Sequence, residues 1–361
     1  MPLLARRRTP LATAARSRVL GLGSRLGRAA SGAREAGRET RQGAPGWLQS
    51  LAGFVRRRVP PHVFAVESGR LLYGHFTGEA PPLTLTELHE QTLPAGLWPD
   101  GPLGGPARDP GALAAAVRAL ADAASVRPAE ASLVVPDAWL RLAFTELNEL
   151  PAAGEERDAV LRWKLKGLTP FRVDELRVKA AEVEAPVTQE GARRVLIGFG
   201  LERLLAQLEE VFRDSGVRVG QLVSSGVALA SLATVLGRDG GLTALAYVRP
   251  EGYGLAFQHG DALLFHRVKL RGGDTETAAQ VQRDLMLTRS YLDENFPDLE
   301  LGALLLLAPE TEQPRWMSWL GDGFDRAPRA LGPDDLPMGA RMPPTHWLDV
   351  APMLGASFGE Y

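Results

Sequence analysis

Cysteine is absent from the 361 residues of this chain, and lysine occurs only four times. The first absence excludes disulfide bridges, thiolate metal sites and a cysteine nucleophile. No apolar run approaches the roughly 18 residues that a membrane-spanning helix needs, so we expect no segment that crosses a bilayer. Arginine replaces lysine almost everywhere, an excess that we interpret as genomic codon bias rather than as a sign of nucleic-acid binding.

Hydrophobic residues make up 45% of the chain, enough for the cores of two domains of ordinary size. The net charge of −2 hides a strong asymmetry: residues 1–58 contain 13 arginines and two acids, which gives +11 there and −13 on the remainder. This arm lacks the continuous apolar segment of a secretory signal. We expect residues 1–60 to form a basic, largely disordered arm.

A short amphipathic helix is predicted within the arm, at residues 46–58, because Trp47, Leu51 and Phe54 share one helical face. Three arginines follow at once: Arg56, Arg57 and Arg58. Such a helix suits an anionic membrane surface, where each arginine adds about 1 kcal/mol of attraction. The alternative is a helix that docks on the body of the protein or on a partner.

The body begins with a predicted mixed α/β subdomain at residues 61–149. Apolar runs on both sides of Ser68-Gly69 predict a hairpin, and a third strand is predicted at residues 83–93. Asp109 before Pro110 predicts the start of a helix that continues to about residue 124. A strand is predicted at residues 131–136, ASLVVP, at the start of a buried-strand run that extends over residues 132–147.

A small α+β insert is predicted for residues 150–219, and a second strand-rich half for residues 220–361. The insert contains helices at 154–166 and 201–216 and strands at 174–183 and 193–200. The second half contains three strands with a turn at Gly260, a long helix that ends at Asn295, a buried strand near residues 300–309 and a terminal helix.

Five segments, in this order and spacing, resemble the type IV pilus assembly family PilM: VVPDAWLRL at 134–142, LTPF at 168–171, VLIGFG and its helix at 195–212, GDALLFHRVKLRGG at 260–273 and PMLGASF at 352–358. The resemblance implies an α/β, actin-like (ribonuclease H-like) two-domain fold. It also implies that the 150–219 insert is the subdomain that departs from actin itself, as in the related protein FtsA.

The resemblance further implies a partner. PilM proteins accept a short N-terminal peptide of the membrane protein PilN in a groove beside the insert, and they work with other inner-membrane platform proteins of the pilus. We therefore expect a scaffold in the cytoplasm, peripheral to the inner membrane. A GspL-like secretion scaffold is an alternative, which the lack of a predicted membrane helix argues against.

Actin-like proteins hold ATP with magnesium on two hairpins that carry an Asp and a Gly-rich turn. Here the first hairpin has Glu67-Ser68-Gly69, and the second has Arg249-Pro250 in place of a phosphate loop. The adenosine-side strand ends in Ala308-Pro309 where a Gly-Gly turn is expected. Only the glycine pair at the start of the long helix survives: Gly272, Gly273 and then Thr275.

We therefore predict a vestigial cleft, no bound cofactor and no ATPase activity. An active actin-like ATPase that binds ATP with magnesium through unusual hairpins remains the alternative. None of the six histidines pairs at helical metal-ligand spacing, and Ser225-Gly226 lacks the surroundings of a nucleophile elbow. The sequence thus predicts no catalytic residue and no metal site.

Three insert residues are predicted to bind the partner: Trp163, Phe171 and Arg162. Trp163 lies in a predicted helix and Phe171 follows it in the Thr-Pro-Phe turn, which places aromatic surface on the insert, where hydrophobic pockets could receive a peptide. Core packing of the two aromatic side chains is the alternative.

Overall fold

The computed structural model describes residues 59–67, 69–99, 104–185, 191–237, 241–271, 277–339 and 346–358. Among these residues, no helix is both long enough and apolar enough to cross a membrane. The predictions for the basic arm lie outside the described residues.

A five-stranded sheet forms the first half, in the order β3-β2-β1-β4-β8. Its strands are β1 (His62–Glu67), β2 (Arg70–Thr77), β3 (Thr84–Thr92), β4 (Glu130–Val135) and β8 (Arg218–Ser224). The first three strands are antiparallel, whereas β1, β4 and β8 run parallel. The predicted helix leads from β3 to β4 as α1 (Pro110–Ala123), where Asp109 accepts a 2.9 Å hydrogen bond from the Ala112 amide and caps the first turn.

The insert is built on a second, three-stranded antiparallel sheet in the order β5-β7-β6. Its elements are β5 (Arg141–Leu147), α2 (Glu155–Leu165), β6 (Leu176–Val183), β7 (Arg193–Leu201) and α3 (Glu202–Asp214). The strand predicted at residues 131–136 is confirmed as β4, but the buried-strand run over residues 132–147 is not continuous. Pro136 and Asp137 break the run, so that β4 pairs within the first sheet and β5 pairs within the insert.

The second half has its own five-stranded sheet in the order β11-β10-β9-β12-β13. Its strands are β9 (Leu242–Arg249), β10 (Gly252–His259), β11 (Ala262–Leu270), β12 (Leu301–Leu307) and β13 (Arg329–Ala330). The helices are α4 (Ser225–Leu236), α5 (Ala278–Asn295), α6 (Gln313–Phe324) and α7 (Trp347–Ala356). Helix α6 and strand β13 were not predicted from the sequence.

Helices α4 and α7 lie in the core that the two large sheets share. Val63 and Val134 from the first sheet, Leu245 from the second, and Leu229 and Leu354 from these helices belong to one buried cluster. The two helices approach closely at Gly355, which has no side chain. A Cβ atom at this position would lie 1.9 Å from the carbonyl oxygen of Ala228. This packing fixes the ends of β1 and β9, where the two hairpin turns meet.

Candidate functional site: the cleft between the two hairpins

An ion pair joins the two hairpins at the cleft that the sequence predicts to be a vestigial nucleotide site. Glu67 is the last residue of β1 and Arg249 is the last residue of β9. The Arg249 guanidinium donates a hydrogen bond to Glu67 Oε1 and forms a salt bridge with it. The two residues are 182 positions apart in the chain, so the pair closes one half of the fold onto the other.

Both partners of this pair are buried: Glu67 is 6% exposed and Arg249 is 9% exposed. Burial raises the pKa of Glu67, and Arg249 opposes that shift. Burial by itself lowers the pKa of Arg249. The negative charges of Glu67 and Glu251 outweigh this effect and raise the pKa above its ordinary value, so the guanidinium stays charged. Glu67 is therefore not a solvated turn residue. Once a positive charge lies nearby, a buried carboxylate can remain ionised.

The start of α7 is bound to both hairpins. Arg249 donates a second hydrogen bond, 3.1 Å long, to the carbonyl oxygen of Leu348. Arg70, the first residue of β2, forms a 2.7 Å ion pair with Asp349 and a 3.1 Å ion pair with Glu90. The cationic groups at this end of the cleft therefore already have acidic or carbonyl partners within the protein.

The cleft beside the ion pair has a cavity of about 30 Å³, with Glu67, Arg249, Tyr247 and Asp137 among its lining residues. Such a volume holds one or two water molecules. Sites for small ligands and cofactors are typically about 300–1,000 Å³. As they stand, the described residues do not fit a nucleotide.

The adenosine side of the cleft also differs from a nucleotide site. Ala308 is fully buried after β12, and its carbonyl oxygen accepts a 3.1 Å hydrogen bond from the Gln313 side chain. Because Ala308 and Pro309 carry side chains, this turn lacks the bare backbone that a base can approach.

A polar network that was not predicted from the sequence begins at Asp137 and Tyr247, which line the cavity. Asp137, in the turn after β4, accepts hydrogen bonds from the Gly226 amide (2.8 Å) and the Tyr247 hydroxyl (2.9 Å). That hydroxyl also lies 3.0 Å from Nε2 of His266. Burial lowers the pKa of His266, and Asp137 partly opposes the shift. No local sequence pattern indicates these contacts, because the residues come from separate segments of the chain.

Gly226 is required for this network. A Cβ atom at its position would lie 2.1 Å from the Tyr247 hydroxyl oxygen and 2.4 Å from His266 Nε2. Gly226 therefore allows the first turn of α4 to pack closely against Tyr247 and His266. Among the described residues, no group of three or more acidic or histidine side chains could hold a metal ion.

The predicted partner-binding residues lie on the insert in different environments. Trp163 is 67% exposed on α2. Arg162 donates a 3.0 Å hydrogen bond to the carbonyl oxygen of Leu176 and lies 3.9 Å from Asp158. Phe171 is partly buried against the core of the insert, and the guanidinium carbon of Arg141 lies 5.9 Å from its ring centre. Trp163 is thus exposed enough to contact a partner. Arg162 and Phe171, in contrast, already make contacts within the insert.

Several predicted site residues lie outside the described residues. They are Ser68, Gly272, Gly273 and Thr275 of the cleft, and Trp47, Leu51, Phe54, Arg56, Arg57 and Arg58 of the basic arm. Gly69, next to Ser68, has φ of +79°, which is the conformation that a tight hairpin turn requires of glycine.

Two strand-rich halves that meet at paired hairpins, with an α+β insert in the first half, define an actin-like fold. The solved structure of a PilM–PilN type IV pilus biogenesis complex is similar, with a TM-score of 0.60 at 18% identity over 83% of this chain and 97% of that one. This likeness confirms the predicted fold class.

Two further solved structures align with this chain at lower similarity. The first is a Bacteroides thetaiotaomicron protein with an actin-like ATPase fold, with a TM-score of 0.44 at 11% identity over 76% of this chain and 91% of that one. The second is the cytoplasmic domain of EpsL from the Vibrio cholerae type II secretion system. Its TM-score is 0.45 at 11% identity, over 83% of this chain and 95% of that one. No family model and no curated protein matches the sequence.

Proposed function

We propose that this protein is a PilM-like scaffold of a type IV pilus or a related secretion machine, and that it works without nucleotide. It would act at the cytoplasmic face of the inner membrane and bind the N-terminal segment of a PilN-like protein. The observation that carries the proposal is the buried Glu67–Arg249 pair, which occupies the meeting point of the two hairpins.

Three features support a degenerate nucleotide site. Arg249 already has Glu67 and the Leu348 carbonyl as partners, so a phosphate would compete with a buried carboxylate. That carboxylate would also repel the phosphate at close range. The small cavity of about 30 Å³ beside the ion pair and the side chains of Ala308 and Pro309 also support a site that has lost its fit to a nucleotide. Function on this account rests on binding rather than on hydrolysis.

The partner proposal rests on the likeness to a PilM–PilN complex and on the exposed surface of the insert. Trp163 is our first choice of anchor, because binding energy at interfaces concentrates in a few aromatic and arginine side chains. The other inner-membrane platform proteins of the pilus are further proposed partners. Contact of the basic arm with anionic lipid is proposed from the sequence alone.

Replacing Trp163 tests the partner site. We expect Trp163→Ala to weaken binding of the N-terminal segment of the PilN-like protein by about 2 kcal/mol, roughly 30-fold. Fluorescence polarisation with that labelled segment measures the affinity. Circular dichroism should show an unchanged fold, since the side chain is largely exposed.

Met286→Ala is the matched control, because Met286 is a similarly exposed apolar residue on α5, in the other half of the protein. Its affinity for the segment should equal that of the wild type. Unchanged affinity for Trp163→Ala would remove Trp163 from the site, and no binding by the wild type would contradict the PilN-like partner.

A further inference from the structure

A groove runs between the insert and strand β11, next to the hairpin cleft, with which it shares Asp137, Val268 and Leu270. Its volume is about 270 Å³. Apolar side chains from both sides line it, namely Leu142, Leu168, Phe199, Val268 and Leu270. Leu168 belongs to the Leu-Thr-Pro-Phe segment and is 65% exposed. The groove is smaller than a typical cofactor site and accommodates a few side chains.

One positive charge in this groove, that of Arg141, has no acidic partner among the residues that the structure describes. The Nε atom of Arg141 donates a 3.2 Å hydrogen bond to the carbonyl oxygen of Ala138. Across the described ranges, Nη1 and Nη2 of Arg141 make no hydrogen bond, and no carboxylate forms an ion pair with this arginine. The guanidinium is partly buried, which lowers the pKa of Arg141.

The other charged residues of the groove are already paired. Arg267 forms a 2.8 Å ion pair with Asp284. Both carboxylate oxygens of Asp137 accept hydrogen bonds, one from Gly226 and one from Tyr247. Arg141 is therefore the group in the groove that gains most from an incoming anion, because a partly desolvated guanidinium is stabilised by a carboxylate in bidentate contact.

Phe171 holds this arginine in place. Its ring centre lies 5.9 Å from the guanidinium carbon, a cation–π contact that limits the rotamers of the long side chain. An arginine that is ordered before binding loses less conformational entropy when a ligand arrives. The Phe171 that the sequence indicated as a partner residue would thus act through Arg141.

We propose that this groove binds a peptide segment in which an aspartate or glutamate lies next to an apolar side chain. Arg141 takes the carboxylate, and the apolar side chain packs among Leu142, Phe199 and Val268. The apolar lining favours a peptide over a small anion, because a free phosphate would leave that surface uncovered. The inference deepens the proposed function, on which it rests, by stating what the captured peptide must carry.

Selection of short random peptides on the full-length protein tests the inference without assuming a partner. The selected peptides should be enriched in Asp or Glu beside an apolar residue. Arg141→Gln should weaken them by about 10- to 100-fold, the usual effect of losing a charged hydrogen bond. Arg193→Gln, which removes an exposed insert arginine paired with Glu182, should leave their affinity unchanged.

Replacing the acidic residue of a selected peptide with Asn or Gln requires no protein variant and should cause the same loss, even if Arg141→Gln folds poorly. Selected peptides without acidic residues, or equal binding to Arg141→Gln, would overturn the inference, as would displacement of the peptides by millimolar inorganic phosphate.

The N-terminal segment of the PilN-like protein separates this inference from the proposed function. If that segment fails to bind while acidic peptides bind through Arg141, the partner proposal fails and the groove assignment stands. If the segment binds wild type and Arg141→Gln equally, the groove assignment fails and the partner proposal stands.

Discussion

Glu67 and Arg249 are opposite charges that are buried away from water. Their mutual attraction offsets the free-energy cost of this desolvation only while both side chains are present. We predict that Arg249→Ala lowers the free energy of unfolding by about 3–5 kcal/mol, because it leaves the Glu67 carboxylate buried without its cation. Urea denaturation followed by circular dichroism measures the change. Replacing both residues with apolar ones of similar volume should recover most of the loss.

Arg218→Ala provides the comparison for this experiment. Arg218 forms a 2.7 Å ion pair with Glu130, but its side chain is 73% exposed, so the loss should stay below about 1 kcal/mol. Equal, small effects of Arg249→Ala and Arg218→Ala would show that the pair between the hairpins contributes nothing beyond an ordinary surface contact.

His266 makes the stability of the protein depend on pH. Its pKa is lowered in the folded state, so the unfolded chain takes up the proton first as the pH falls. The contribution to stability is complete above the unfolded pKa of about 6.5 and is lost progressively below it, down through the folded pKa. His62, whose pKa is also lowered by burial and by His75, adds a loss of the same sign.

We therefore predict that His266→Gln reduces the loss of stability on acidification from pH 7.5 to 5.5, values chosen to span the unfolded pKa of about 6.5. Thermal melting across that range is the readout, and His259→Gln, at an exposed position at the end of β10, is the control. An unchanged pH dependence in His266→Gln would contradict the assignment.

The contact between helices α4 and α7 depends on one glycine. The Cβ atom of alanine at position 355 would lie 1.9 Å from the carbonyl oxygen of Ala228, so the helices would have to move apart. We predict that Gly355→Ala costs about 1–3 kcal/mol, as overpacking of a core typically does. The melting temperature should fall accordingly.

Gly321→Ala tests the same substitution in a helix that has room for it. At that position, in α6, the nearest atom would be 3.7 Å away, which is an ordinary contact. Alanine should then stabilise the protein by up to about 1 kcal/mol through its helix propensity. Destabilisation of similar size at both positions would indicate that close packing at residue 355 is not the cause.

Local patterns identified many of the elements. The hairpin at Gly69, the helix capped by Asp109 and the long helix that ends at Asn295 were predicted and are confirmed. Helix α6 was missed because Pro314, Gly321 and Gly323 weaken its helical pattern. The run at 132–147 was misread because apolar composition alone does not show which sheet a strand joins.

The site was less predictable than the elements. The sequence indicated that the hairpins had lost their nucleotide chemistry, but nothing local shows that Glu67 and Arg249 meet across 182 residues. The same holds for Asp137, Tyr247 and His266, which three separate elements bring together. Such contacts depend on the fold. The resemblance to PilM predicted the fold, but it did not predict these contacts.

At the scale of the whole molecule, an internal ion pair between Glu67 and Arg249 links the two halves of the fold. Here Glu67, Arg249 and the start of α7 provide that link within the chain. A scaffold connected in this way would keep its binding surfaces in one arrangement without ATP.

Isothermal titration of the full-length protein with Mg-ATP tests this central claim most directly. The account predicts no saturable heat at protein concentrations that would reveal micromolar binding, because Arg249 is already paired and the cavity of about 30 Å³ admits only water. A dissociation constant in the low micromolar range, or measurable hydrolysis of ATP, would contradict it and favour an active actin-like ATPase.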